Sequence, residues 1–297
     1  MEIAIGPLPT NWGKEKILDY YRKVAAHPAI NRAYVGEIAC TKRDILDPEL
    51  FIEIQDSLKK AGKEVILSTL VLPTNEEDLN KSRALMAKAH EIEVNNMGIF
   101  NVWLKEFREK SLTLGPFFNV YNPQSARFLL KYKIRRILFP VDISMNTMEK
   151  MCQEIDIPFE VVVYGNFPIA FSWRCYTARA FGKLRRDCGF KCYEVKNLPQ
   201  ATLEDEPLFM MNGPAVYNAK TYCLISHLKR FRGMGVAGIR IETIPENVVG
   251  VADIFKAVID GEISPTQAEK KLASLSAYRL DTCYFTGREK RLICSTS

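Results

Sequence analysis

Short apolar runs alternate with longer amphipathic stretches over the first 165 residues, and this alternation constrains the fold more than any other feature of the chain. Stretches of helix length separate the apolar runs, so the strands are expected to be parallel. Eight such units in about 250 residues predict an α/β fold of the TIM type, a closed (β/α) barrel. The eight predicted strands span 2–6, 32–37, 64–70, 92–96, 112–116, 135–140, 159–165 and 238–242.

A longer segment, 166–217, interrupts the alternation between predicted strands seven and eight. It holds three cysteines and a predicted hairpin at 208–218, and a helix is predicted after it at 221–233. No Pro/Gly-rich linker divides the chain. We therefore predict one barrel domain over 1–249, which includes this cysteine-bearing insertion, and a helical C-terminal tail over 250–297.

The composition is that of a soluble globular protein, with 47% hydrophobic and 26% charged residues among 297. No apolar run reaches the roughly 18 residues of a membrane helix. The N-terminus lacks the basic region of a secretion signal, so a cytoplasmic chain without an integral membrane segment is expected. The net charge of +6 permits contact with anions but does not require a nucleic acid.

Known catalytic motifs offer little guidance. GMGVAG at 233–238 matches the dinucleotide pattern G-x-G-x-x-G, but it follows a predicted helix and precedes a strand, the reverse of what a dinucleotide site needs. We interpret it as a helix end and turn. Neither a phosphate-binding loop nor a serine-hydrolase or zinc-protease motif occurs in the sequence.

The cysteines carry the strongest chemical signal. Cys175, Cys188 and Cys192 follow predicted strand seven with the spacing C-x12-C-x3-C, and Cys40 follows predicted strand two. All loops after strands emerge at one face of a parallel barrel, so the four thiols are expected to converge there. Four thiolates can hold zinc or an iron–sulfur cluster. The uneven spacing favours a cluster, while zinc and unliganded buried cysteines remain alternatives.

Basic residues flank this quartet and would favour the thiolate form. They are Lys42, Arg43, Arg174, Arg179, Lys183, Arg185, Arg186 and Lys191. Cys152 and Cys223 lie in predicted amphipathic helices, where packing in the core is the expected role. Cys283 and Cys294, in the tail, receive no role.

Polar residues at the ends of the predicted strands are candidates for contact with a substrate, because active sites of such barrels lie at that face. Turn and helix-cap roles compete with this interpretation for the asparagines. The candidates are Glu37, Asn95, Asn96, Asn119, Tyr121 and Asn122.

Several segments also match a known pattern: 3–12, GEIACTKR (36–43), 65–70, EVNNMGIF (93–100), 115–122, 164–179 and CGFKC (188–192). In these segments the chain resembles the collagenase-like peptidase family, and within it the UbiV-like branch of oxygen-independent ubiquinone biosynthesis. The resemblance extends to about residue 220. Its most specific part is the cysteine quartet, which holds a [4Fe-4S] cluster in that branch.

The resemblance implies that the chain takes part in hydroxylating the ring of a ubiquinone precursor without oxygen. It implies a heterodimer with a homologous UbiU-like subunit and suggests prephenate as the hydroxyl donor. Two alternatives remain: an oxygen-independent tRNA or rRNA base hydroxylase of the same family, and a non-catalytic redox subunit. Protease activity is not expected, since the sequence shows no nucleophile–base pair.

Overall fold

A computed structural model describes residues 1–8, 12–194, 198–201, 207–242 and 247–286. Eight of its strands form one barrel. They are β1 (Glu2–Ile5), β2 (Arg32–Gly36), β3 (Glu64–Ser68), β4 (Glu91–Val94), β5 (Ser111–Leu114), β6 (Ile134–Leu138), β7 (Phe159–Gly165) and β13 (Gly238–Ile241).

The barrel is closed because every one of these strands pairs in parallel with its neighbour. β1 to β7 follow each other in chain order, and β13 pairs with both β7 and β1. This order confirms the predicted TIM-type α/β fold. Each predicted strand corresponds to one observed strand, and the boundaries differ by two residues or fewer at nearly every end.

Helices cover the outside of the barrel. They are α1 (Lys14–Ala26), α2 (Pro48–Lys60), α3 (Glu76–Lys88), α4 (Met97–Glu106), α5 (Pro123–Leu130), α6 (Met145–Glu154), α9 (Leu228–Gly233), α10 (Val248–Asp260) and α11 (Pro265–Leu275). Polar side chains begin most of them. Asp47 accepts a hydrogen bond from the Glu49 backbone at the start of α2, and Ser264 and Gln267 form a reciprocal capping box at the start of α11.

The predicted insertion after β7 forms its own small sheet, of which the sequence predicted only the hairpin. Its elements are β8 (Pro168–Phe171), α7 (Tyr176–Ala180), α8 (Lys191–Glu194), β9 (Leu198–Ala201), β10 (Pro207–Asn212) and β11 (Ala215–Asn218). The strands are antiparallel in the order β8-β11-β10-β9, and β10 and β11 form the predicted hairpin. Met210, Ala215 and Tyr217 form a small core with Ala39, which attaches the sheet to the loop after β2.

The prediction of a helix over 221–233 is wrong at its start. Thr221–Cys223 forms a strand, β12, which pairs antiparallel with the end of β7. The helix α9 begins only at Leu228. A β-branched and an aromatic residue favour a strand here, and a short strand in the tail, β14 (Leu280–Asp281), pairs with β12. The predicted boundary at residue 249 between barrel domain and C-terminal tail stays a prediction. Helix α10 begins at Val248 and contacts α1 and β1.

Charged side chains fill much of the barrel interior. Glu160 on β7 accepts hydrogen bonds from Arg32 at 3.2 Å, Arg136 at 3.3 Å and Arg240 at 3.0 Å, which lie on three other strands. The Arg240 guanidinium also lies 3.4 Å from the centre of the Tyr34 ring. A buried charge is tolerated only when it is paired in this way. The network therefore ties β2, β6, β7 and β13 together from inside.

Gly36 provides a test of barrel packing. Its φ is +145°, and a Cβ at this position would collide with the Ser68 carbonyl oxygen on the neighbouring strand β3. Gly36→Ala is expected to lower the free energy of unfolding by more than about 3 kcal/mol, because clash adds to backbone strain. Gly62→Ala is the control, since Gly62 has φ +76° but open space around it, and about 1 kcal/mol is expected. Urea unfolding measures both; equal losses would contradict the packing argument.

Candidate functional site

Four cysteines from two distant parts of the chain line one cavity. Cys40 lies in the loop after β2, and Cys175, Cys188 and Cys192 lie in the insertion after β7. All four side chains are partly exposed and free of disulfides. The structure thus brings the predicted quartet together at the face where the barrel strands end.

The Cys40 loop is held by a buried carboxylate. Glu37, the first residue after β2, accepts hydrogen bonds from the backbone N–H groups of Ala39 at 2.5 Å and Cys40 at 3.0 Å. Its two oxygens also pair with the guanidinium of Arg43, at 3.3 and 3.2 Å. Glu37 and Arg43 are almost fully buried. Glu37 was predicted as a substrate contact, and the structure places it as a support for the Cys40 loop.

Lys42 connects this loop to the insertion. Its ammonium group donates to the backbone carbonyl oxygens of Arg185 at 3.0 Å and Arg186 at 2.7 Å, three and two residues before Cys188. Arg185 in turn donates to the carbonyl oxygen of Trp173 at 3.1 Å, two residues before Cys175. These contacts hold the segments that carry three of the cysteines.

Cys175 begins α7, and its position shows how the thiols influence one another. Its sulfur accepts a hydrogen bond from the Ala178 backbone at 3.4 Å. Burial raises the pKa of the Cys175 thiol above its usual value, the Ala178 N–H opposes that rise, and the negative charges of Cys40 and Cys188 add to it. Three thiolates together therefore cost free energy unless a positive charge compensates them.

Cations supply that charge around the cavity. Lys42, Arg43, Arg185 and Lys191 line it beside the four sulfurs. The free space at its centre is small, about 20 Å³, which is room for about one water molecule. Within the described residues, no three His, Cys, Asp or Glu side chains are arranged to hold a single metal ion.

The five other substrate candidates separate into two groups. Asn95 is buried and joins loops, since it donates to the Thr69 carbonyl oxygen at 3.2 Å and accepts from the Phe117 backbone at 3.4 Å. Asn96 and Asn122 cap helices α4 and α5. These three support helix starts and loops, and their contact with a substrate stays a prediction.

Asn119 and Tyr121 instead line a second cavity of about 280 Å³ at the same barrel face. Asn119 adopts a left-handed conformation with φ +62°. The Tyr121 hydroxyl donates to Asp142 at 2.5 Å. Phe117, in the wall of this cavity, packs edge-on against Phe171 of β8, with ring centres 5.0 Å apart.

The remaining cysteines lie apart from the quartet. Cys152 on α6 and Cys223 pack in or against the core, and burial raises the pKa of each thiol to about 11. Cys223 lies on β12 rather than on the predicted helix. Cys283 is partly buried, and Cys294 lies outside the described residues.

Sequence reasoning missed a polar group at the centre of the barrel mouth. Glu242, directly after β13, is almost fully buried, and its carboxylate lies 3.7 Å from Arg240. Burial raises the pKa of Glu242 to about 7, against the lowering effect of Arg240, and Glu93 and Glu160 add to the rise. The alternation of inward charged residues in GIRIE and EIEVNN was the available signal.

These features define a class: a closed (β/α) barrel with a four-cysteine cavity at the carboxyl ends of its strands. A sequence model of peptidase family U32 matches residues 21–293, and the chain belongs to this family. Within the described residues, no helix is long and apolar enough to cross a membrane.

Solved structures with similar folds have low sequence identity. Phospho-2-dehydro-3-deoxyheptonate aldolase of Thermotoga maritima matches at 14% identity and TM-score 0.45, over 94% of this chain and 71% of its own. Phosphoribosyl anthranilate isomerase of Thermococcus kodakaraensis matches at 13% identity and TM-score 0.43, over 87% of this chain and 98% of its own.

The titration of Glu242 gives a testable pH dependence. Its pKa rises from 4.5 to about 7 on folding, so its contribution to stability is complete below about pH 4.5 and is lost as the pH rises to about 7. In the wild type, the free energy of unfolding should therefore fall as the pH rises over this range. Glu242→Gln should reduce this decrease by up to about 3 kcal/mol, since glutamine does not titrate. Glu53→Gln, on the exposed side of α2, should leave the wild-type slope. Urea unfolding at several pH values measures both; parallel curves for Glu242→Gln and wild type would contradict the assignment.

Proposed function

We propose that this chain is a UbiV-like iron–sulfur protein that takes part in the oxygen-independent hydroxylation of a ubiquinone precursor ring. The observation that carries the proposal is the shared cavity of Cys40, Cys175, Cys188 and Cys192. It agrees with family membership and with the resemblance of the quartet to the UbiV-like branch.

The donor set fits a [4Fe-4S] cluster. Cysteine thiolates are the usual ligands of such clusters, and four are available here. The four surrounding cations would balance the negative charge of a thiolate-ligated cluster and raise its reduction potential. When bound, the cluster would supply one-electron redox chemistry. The chain's own part is to hold the thiolates, through Glu37 at the Cys40 loop and Lys42 at the insertion.

The small space between the sulfurs requires a local adjustment when a cluster binds. Cysteine has a single side-chain torsion, so the thiols can turn outward by changing rotamer. Cys188 ends a short 3-10 turn and Cys192 lies on the four-residue helix α8, and Gly189 between them has φ +59°. We expect the adjustment to be confined to these short segments.

The same insertion offers a surface for the proposed UbiU-like partner. Trp173 is 64% exposed and Leu184 59% exposed, although apolar side chains of this size usually lie inside. Other exposed apolar residues of the insertion extend this surface: Phe181, Phe190, Tyr193 and Leu208. Phe190 also lines the cysteine cavity. Exposed apolar side chains in this number on one insertion are typical of a protein interface. We place the homologous subunit on it.

The RNA-base hydroxylase is the second candidate function. Cations and aromatic rings alternate on the insertion, as they do on surfaces that bind single-stranded nucleic acid: Arg174, Arg179, Lys183 and Arg186 lie among Trp173, Phe181 and Phe190. Copurified RNA and a lost RNA hydroxyl in a deletion strain would favour this function. Loss of anaerobic quinone in the deletion strain would favour the first, with prephenate tested as hydroxyl donor in extracts.

Iron content tests the cluster. Protein purified without oxygen should be brown and hold about four irons per chain. Replacement of Cys40, Cys175, Cys188 or Cys192 by alanine should remove most of the iron, because each would lose one ligand. Cys152→Ala and Cys223→Ala are matched controls, since these thiols lie away from the cavity, and should retain it. Colourless protein with one zinc per chain would contradict the proposal.

Co-purification tests the partner surface. The double variant Trp173→Glu, Leu184→Glu should lose at least about tenfold in affinity for a co-expressed homologous UbiU-like subunit, because charges replace the two most exposed apolar contacts. Its iron content should equal that of the wild type. Phe128→Glu is the control, since Phe128 is 58% exposed on α5, outside the insertion. Size-exclusion chromatography of the complexes decides; an unaffected double variant would place the partner elsewhere.

A further inference from the structure

The second cavity at the carboxyl face of the barrel is open to a ligand and lies apart from the cysteines. Its volume is about 280 Å³, and its walls come from the loops after β5 and β6 and from the strand β8. Tyr284, in the tail after β14, forms one further wall. Among the described residues, none lines both this cavity and the cysteine cavity. Active sites of such barrels lie at this face, so the cavity has the position of a ligand site.

Most of the cavity lining is apolar. Phe117 packs edge-on against Phe171 of β8, with ring centres 5.0 Å apart, which fixes its ring in the wall. Pro116 and Pro140 are buried and add two conformationally restricted walls. Four more side chains complete the apolar lining: Tyr121, Val141, Ile169 and Tyr284. An apolar cavity of about 150 Å³ is large enough for benzene, so this cavity has room for one substituted ring.

The polar groups of the cavity favour a ligand that donates a hydrogen bond. Asn119, Tyr121 and Asp142 supply them. The Tyr121 hydroxyl donates to the exposed Asp142 carboxylate at 2.5 Å. A carboxylate has about four lone-pair sites, so Asp142 can accept a further hydrogen bond from a ligand. No lysine or arginine among the described residues lines the cavity, so the carboxylate gives it a negative charge.

We propose that this cavity binds an uncharged phenol, whose ring packs among the aromatic side chains and whose hydroxyl donates to Asp142. Burial of the ring supplies most of the affinity, since removing apolar area from water is favourable. Asp142 disfavours an anionic ring, because like charges repel. An ammonium ligand gains little, since an ion pair with an exposed carboxylate contributes little. The inference rests on the proposed function only in taking the bound ring as the one that is hydroxylated; the cysteines take no part in binding.

Fluorine NMR with the full chain and three matched rings tests the site. At about pH 7, 4-fluorophenol is neutral, 4-fluorobenzoate is anionic and 4-fluorobenzylamine is cationic. Wild-type protein should bind 4-fluorophenol saturably at millimolar concentrations and 4-fluorobenzoate at least about threefold more weakly. It should bind 4-fluorobenzylamine no more tightly than the phenol. A smaller difference between phenol and benzoate, or tighter binding of the amine, would overturn the assignment to a neutral phenol.

Two variants test the named contacts. Asp142→Asn removes the negative charge and keeps an acceptor oxygen, so it should lose the preference for phenol over benzoate. Tyr284→Ala removes one wall and should weaken phenol binding by at least about threefold. Tyr284 is 57% exposed, so its replacement should leave the fold intact. Asp56→Asn, on the exposed side of α2, and Tyr278→Ala, outside the cavity, should bind as the wild type does. A retained preference in Asp142→Asn, or wild-type affinity in Tyr284→Ala, would contradict the inference.

Iron content and phenol binding together separate this inference from the proposed function. Iron-free Cys40→Ala protein should bind 4-fluorophenol as the wild type does, because the two cavities share no lining residue among those described. Wild-type protein that holds no iron but binds the phenol with the expected preference would contradict the proposed function and support the inference. Iron-loaded wild-type protein without saturable phenol binding would overturn the inference and leave the cluster in place.

Discussion

The barrel depends on the ion pairs that the carboxylate of Glu160 forms with three arginines. Arginines from β2, β6 and β13 converge on it inside a closed ring of strands, and all four side chains are almost fully buried. Removing one partner of such a buried set leaves an unpaired charge at a cost of several kcal/mol. Because β13 closes the ring between β7 and β1, the contact between Arg240 and Glu160 also fixes the strand that completes the fold. Outside the ring of strands, the core between strands and helices is hydrophobic and rich in branched aliphatic residues.

The two polar sites at the carboxyl face follow from that interior. Arg240 pairs with Glu160 in the barrel interior and also with Glu93 and Glu242. The charges near the carboxyl ends of the strands are therefore coupled to those of the interior. The cysteine cavity lies to one side, where Glu37 orders the loop after β2 and the sheet of the insertion packs against Ala39. Pairing of buried charges positions Glu93 and Glu242, whereas contacts between the insertion and the loop after β2 position the four cysteines. The barrel brings both to one face because its strands are parallel.

Periodicity in the sequence predicted the barrel well and the local exceptions poorly. All eight barrel strands and the β10–β11 hairpin were predicted, because their apolar runs are long and bounded by turn residues. The strand Thr221–Cys223 lies in a stretch, TYCLISHLKRFRG, whose local pattern predicts a helix, because three residues do not reveal their long-range pairing with β7. Convergence of Cys40 with the insertion followed from topology alone. The roles of Glu160 and Glu242 did not. Alternation, as in GIRIE, shows which residues share one face of a strand, but the distant side chains that meet them depend on the register of the neighbouring strands.

The order of elements along the chain has a consequence for biosynthesis. Cys40 leaves the ribosome early, and Cys175, the first of the other three, follows 135 residues later, yet β13, which closes the ring between β7 and β1, is the last of the barrel strands. A nascent chain that ends before Gly238 would carry all four thiols but would lack β13, the strand that closes the barrel between β7 and β1. We therefore expect the four thiols to come together only once β13 closes the barrel, so that a chain stalled before that point would present a partial set of ligands to iron.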